Sequence, residues 1–167
     1  MRTFPSPFEE PAIRLLETKL RSTAAPLGLV ITGPGDAAAL LHELIGANDR
    51  EVFVALLLSV RHRVTHAHIV SRGTLNGTTV HPREVFKAAV LANAHAIVVG
   101  HNHPSGDCQE SQEDKAITQR LREAGTVLGI ELLDSIIVTP QGAYCSLSDG
   151  RVGQLSVAQA KEVADGS

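Results

Sequence analysis

The chain has 167 residues, 43% of them hydrophobic and 20% charged, which suits a globular domain with a single core and excludes a disordered chain. Aromatic residues make up 3%, with no Trp and one Tyr, so the core must be built from Leu, Val, Ile and Ala, and a surface that stacks unpaired bases on rings is disfavoured. The formal net charge is -3 with no long basic run. DNA binding is therefore unsupported by charge beyond the local pairs Arg61/Arg63 and Arg120/Arg122.

In chain order, Phe8 to Ser22 sets Ile13, Leu15, Leu16 and Leu20 among charges, the pattern of a short amphipathic helix. Ala24 to Gly35 is rich in Pro and Gly and reads as a connector around the apolar Leu29–Ile31. Residues 1–35 are thus expected to form an accessory arm. Asp36 to Ile45 predicts a helix stopped near Gly46 and Asn48. Val52 to Val60 is a continuous apolar run, too short for most helices, and predicts a buried strand. Arg61 to Arg63 makes a turn, and Val64 to Ser71 predicts a second strand. Asn76-Gly77 signals a turn within Leu75–Thr79. Pro82 suits the first turn of a helix that continues from Glu84 to Ala94. Ile97 to Val99 predicts a short buried strand running into His101. A helix over Gln112–Ala124 is expected to end at Gly125. Strands are expected over Glu131–Thr139 and Ala143–Leu147, joined by a turn at Pro140–Gly142. Beyond Asp149 the pattern weakens, so residues 151–167 are expected to be a frayed tail. Hairpin-like pairs mixed with strand–helix–strand connections predict an α/β layered fold with a mixed sheet over residues 36–150.

Two cysteines, Cys108 and Cys145, form no CxxC and no disulfide framework, which fits a reducing cytoplasm. The opening MRTFPSPFEE is followed by no apolar run, so neither a signal peptide nor a membrane span is expected.

The segment His101-Asn102-His103-Pro104-Ser105-Gly106-Asp107, continuing to Ser111-Gln112-Glu113-Asp114, carries the chemistry. Side chains on a strand alternate, so His101 and His103 project from one face and converge on one point. Pro104, Ser105 and Gly106 end the strand at once and leave the pair accessible. Asp114 falls in the first turn of the next helix. Two imidazoles and one carboxylate leave a tetrahedral zinc one open position, the arrangement of a catalytic site. Ser111 and Asp114 also fit a helix-capping pair, which is compatible with ligation. His66 and His68 alternate in the same way and read as ordinary strand residues, as do His62, His81 and His95 as surface or core histidines. Asp107 is expected to serve a turn or support a ligand, Cys108 to be a loop residue, and Asp134, inside an apolar strand, to face solvent or be paired.

His101-x-His103, seven residues, Ser111, two residues and Asp114 match the JAMM motif, and the chain resembles the JAB/MPN metalloproteases. Arg72-Gly73-Thr74-Leu75-Asn76, His81-Pro82-Arg83-Glu84-Val85, Ala92-Asn93 and Gly106-Asp107 resemble the bacterial RadC-like branch, over Glu51 to Leu147. The resemblance implies a three-layer, cytidine-deaminase-like α/β fold, its central mixed sheet flanked by helices. It implies Zn2+ on His101, His103 and Asp114, and an upstream glutamate that works on the water. Glu51 and Glu84 are the two candidates. Glu51, directly before the first long apolar strand, is where the family's glutamate lies, whereas Glu84 also reads as a helix N-terminal acid. Ser111 is implied to donate to the developing oxyanion. Members of this branch often carry an N-terminal helix-hairpin-helix module, for which the sequence ahead of the domain is expected to be too short.

The function expected is hydrolysis of a peptide or isopeptide bond in a peptide or protein substrate; a homodimer stays open. The alternative is a non-catalytic or DNA-repair-associated binding module of the same fold. A zinc deaminase would need H-x-E followed by P-C-x-x-C, and neither is present. A nuclease commonly uses two metals, for which one carboxylate is a poor match. Arg83 and the Pro82 turn are expected to serve the fold.

Overall fold

The computed structural model describes residues 29–73 and 80–155. The helix expected over Phe8–Ser22 and the Asn76-Gly77 turn lie outside them. In order come α1 (Pro34–Leu41) running into a π-helical turn (His42–Gly46), β1 (Val52–Leu58), β2 (Val64–Arg72), α2 (Pro82–Leu91), β3 (Ala96–Asn102), α3 (Gln112–Leu128), β4 (Glu131–Val138), β5 (Ala143–Ser146) and β6 (Val152–Gln154). The six strands form one mixed sheet in the order β2-β1-β3-β4-β5-β6. β3 and β4 are parallel and every other neighbouring pair is antiparallel.

Strand alternation divides the core into two. Val52, Val54, Leu56 and Leu58 of β1 join Val98 of β3 and Ile136 of β4 against α1. Phe53, Ala55 and Leu57 join Ile97 and Val99 against α2 and α3. β1 is therefore buried on both faces, which is why its sequence is apolar without alternation. Each wholly buried leucine, such as Leu56, contributes about 1.5–3 kcal/mol. The result is a three-layer α/β fold, with α1 on one side of the sheet and α2 and α3 on the other.

Several boundaries differ from the expectations for physical reasons. The first helix begins at Pro34, because Asp36 sits in its first turn and its Oδ2 accepts from Thr32 N, Thr32 Oγ1 and Gly33 N. Within the segment expected to be an arm, Ile31 packs into the core and its N–H donates to the His62 carbonyl. α2 stops at Leu91, three residues short of Ala94. α3 runs past Gly125 to Leu128, capped by Gly129 in a left-handed conformation. Gly125 is instead a point of close approach, where a Cβ would run into the Ile130 carbonyl. β6 lies where only a tail is expected; it pairs with β5, and Leu155 joins the core.

Asp134 is paired, as its place in an apolar strand requires. Ser146 Oγ donates to Oδ2 at 2.7 Å, and the amides of Ser135 and Ser148 donate to Oδ1 at 2.7 and 3.1 Å. Among the described residues no helix is long and apolar enough to cross a membrane.

Candidate metal centre

β3 and β4 are joined through α3, so the loop after Asn102 opens at the carboxyl end of the parallel pair, where open α/β sheets place their ligands. β1 runs antiparallel to β3, which brings the start of β1 to the same end. This topology gathers His101, the loop over residues 103–111, the first turn of α3 and Glu51.

His101 is 1% exposed, and its ring stacks on Phe53, its register partner on β1, with centroids 5.9 Å apart and planes 10° from parallel. Its Nδ1 is buried with no hydrogen-bond partner among the described residues, so the stacking orients the ring. His103 follows two residues later on the same face. Its Nδ1 bonds the Asp107 carbonyl at 2.7 Å and must donate, which leaves Nε2 as the bare lone pair. The two Nε2 atoms stand 3.0 Å apart.

Asp114 is 5% exposed in the first turn of α3. Ser111 caps the helix by accepting from Asp114 N at 3.1 Å, while its own amide and hydroxyl donate to Asp114 Oδ2 at 2.7 and 2.6 Å. Oδ1 is left facing His101 Nε2 at 3.1 Å. Burial pushes the Asp114 carboxyl up, but the hydrogen bond and charge of His101, with the Ser111 bonds, outweigh it and hold the group well below the usual carboxylate range. It stands ready as an anion.

One ligand atom from each of His101, His103 and Asp114 lies within 4.8 Å of the others. Ligands on a tetrahedral zinc with bonds of about 2.0–2.1 Å sit about 3.3 Å apart. The separations of 3.0 Å between the two Nε2 atoms and 3.1 Å from His101 Nε2 to Asp114 Oδ1 match that spacing, while His103 Nε2 stands farther from the carboxylate, 4.0 Å from its other oxygen, Oδ2. Two ring nitrogens and a carboxylate oxygen gathered at one point form a donor set that fits a metal ion.

Glu51 belongs to the same neighbourhood. The register of β1 and β3 ends at the pair Phe53 and His101, and Glu51 and His103 each lie two residues beyond it, Glu51 directly ahead of β1 and His103 directly after β3. The Glu51 carbonyl accepts from Gly73 N at 2.9 Å. Glu84 lies on α2, engaged by Lys87 at 2.8 Å and Arg83 at 3.3 Å. Its carboxyl is lowered chiefly by Lys87. His81, read from sequence as an ordinary histidine, caps α2 through an Arg83 N–H bond to Nδ1. Asp107 serves the turn through Oδ1, which accepts from Gln109 N, and supports His103 through its carbonyl.

Two residues escape a reading of the sequence. Phe53 looks like any core residue of β1, since only the strand register pairs it with His101. Asn102 is the unread middle of His-x-His; its signal is an amide inside an otherwise apolar strand.

Fold and site together define a layered α/β domain with a His-His-Asp cluster able to hold a metal ion. The model of the RadC-like JAB domain matches residues 31–152, and the chain belongs to that family. It is 49% identical over 109 residues to a UPF0758 protein of Rubrobacter xylanophilus, covering 65% of this chain and 48% of the relative. A UPF0758 protein of Symbiobacterium thermophilum is 44% identical over 135 residues, covering 80% of this chain and 57% of the relative. One from Staphylococcus epidermidis is 44% identical over 123 residues, 74% and 54% of the two chains. The chain spans about half the length of the curated relatives it matches.

Proposed function

We propose that this domain is a zinc-dependent hydrolase of peptide or isopeptide bonds. The observation that carries the reading is the convergence of three donor atoms, from His101, His103 and Asp114; Glu51, directly ahead of the strand that pairs with the His101 strand, supports it. Two imidazoles and one carboxylate suit zinc and leave it one open position. Zinc in such a site acts as a Lewis acid, polarising a carbonyl and making water nucleophilic near neutral pH.

The chain's own residues supply the rest. Glu51 takes a proton from the attacking water and returns it to the leaving amine. Asp114 and the two histidines hold the centre. Ser111 donates to the oxygen of the attacked carbonyl as charge develops on it. Its hydroxyl rests on Asp114 Oδ2, but its backbone amide bonds the same oxygen at 2.7 Å. The hydroxyl can therefore turn to the substrate without releasing the carboxylate. The substrate is a peptide or protein chain, since the single carboxylate ligand suits amide chemistry better than the two-metal sites common in phosphodiester cleavage.

Glu51→Gln and Glu84→Gln, measured on a fluorogenic peptide-amide panel with zinc content checked, test the reading. Glu51→Gln should keep its zinc and lose roughly 10²–10⁴-fold in turnover, while Glu84→Gln stays near wild type. The reverse pattern would move the role to Glu84. Absence of turnover in every protein would favour a binding module of the same fold.

A further inference from the structure

We infer that Asn102 is a positioning residue that sets Glu51 against the metal centre, an inference that rests on the hydrolytic reading above. Asn102 lies between the two histidine ligands in sequence, but strand alternation turns it to the opposite face of the sheet. There it is 0% exposed, on the side where Val98 and Val138 meet α1. A carboxamide buried without partners is destabilising, and a Val or Leu would suit that face. The amide is kept, and its bonds all go to one place. Oδ1 accepts from Val52 N at 2.8 Å, and Nδ2 donates to the carbonyls of Asn48 and Arg50 at 3.2 and 3.0 Å.

All three partners are backbone groups in the stretch 48–52, and two of them immediately flank Glu51. With the Gly73 N–H on the Glu51 carbonyl at 2.9 Å, the backbone is held before, at and after this residue. His101 and Asn102 end one strand. The end of β3 and the residue after it thus present two candidate metal ligands, His101 and His103, while Asn102 between them grips the segment that delivers the proton-transfer group. A shift of either is carried to the other through a single buried side chain. Ala would remove all three bonds. Asp keeps the shape and the bond from Val52 N but faces the two carbonyls with no amide donor.

The test uses the full chain with Asn102→Ala, alone and combined with Glu51→Gln, and Asn102→Asp in its place should Asn102→Ala not fold. Three quantities are read: zinc content, the visible absorption of the Co2+-loaded protein, and kcat and KM on the peptide-amide panel. Asn102→Ala should retain its zinc, lose roughly 10- to 100-fold in kcat at nearly constant KM, and change the Co2+ spectrum as Glu51→Gln does. In the Glu51→Gln background it should add nothing to either change, because the group it positions is already disabled. Additive losses, an unaltered Co2+ spectrum, or loss of zinc with the fold in both Asn102 variants would overturn the assignment. Should the wild type cleave no amide, the hydrolytic reading falls, and the Co2+ spectra of the four proteins still decide whether Asn102 acts through Glu51.

Discussion

His103 donates from Nδ1 to the Asp107 carbonyl at 2.7 Å, and that bond determines which nitrogen turns toward Asp114 and His101. The acceptor is a backbone atom, so its position depends on the path of the loop. Gly106 makes that path: its φ is 85°, and its N–H returns to the His103 carbonyl at 3.1 Å. A Cβ there would lie 2.9 Å from Gln141 Oε1. Gly106→Ala should cost about 1 kcal/mol of stability through the left-handed backbone. It should also weaken zinc binding by roughly 10- to 100-fold, as loss of a ligand's supporting hydrogen bond does. Competition with a chromophoric chelator measures the affinity; a wild-type value would mean that the loop does not orient His103.

Gly125 supports a prediction of opposite sign to simple helix propensity. Alanine is favoured over glycine inside a helix by about 0.8–1 kcal/mol. At this position a Cβ would collide with the Ile130 carbonyl and lie 3.2 Å from Phe86 Cζ. The carbonyl belongs to the turn that feeds β4 and cannot step aside as a flexible side chain could. Gly125→Ala should therefore destabilise the protein by about 1–3 kcal/mol. A lower denaturant midpoint is expected, and a higher one would contradict the packing described.

What the sequence yields and what it hides follow from the range of the interactions. Periodicity and local turn chemistry locate β1, β2, α2 and β4 to within a few residues, because burial on two faces or one stripe writes itself into neighbouring positions. The triad is legible for the same reason: His101 and His103 share a strand face, and Asp114 follows at the next helix start. Gly125 is misread as a stop because its cause is the Ile130 carbonyl, met only after the chain has turned back. β6 is missed because an edge strand of three residues, Val152–Gln154, buries little. Phe53 and Asn102 depend on the pairing of β1 with β3, a contact across about fifty residues that no local pattern encodes.

Cys145 predicts an alkaline limit to stability. Burial first, and then the Glu110 carboxylate that accepts its S–H at 3.4 Å, push the thiol from 9.0 up to about 12. The folded state thus keeps its proton where the unfolded chain loses it. Stability from this site is intact below pH 9 and is lost as the pH rises from 9 toward 12. Cys145→Ala should show a shallower fall between neutral pH and about pH 10 in urea unfolding. Parallel pH profiles for the two proteins would contradict the assignment.

The zinc content of the wild type and of His101→Ala, His103→Ala and Asp114→Ala, each purified without chelator, tests the account most directly. The three side chains sit at the end of β3, in the loop after it and at the start of α3, outside both apolar core clusters, so all four proteins should remain folded by circular dichroism. Elemental analysis should find one zinc per wild-type chain and little in any of the three variants. Wild-type zinc content in the histidine variants would contradict the site, and with it the hydrolytic function built upon it.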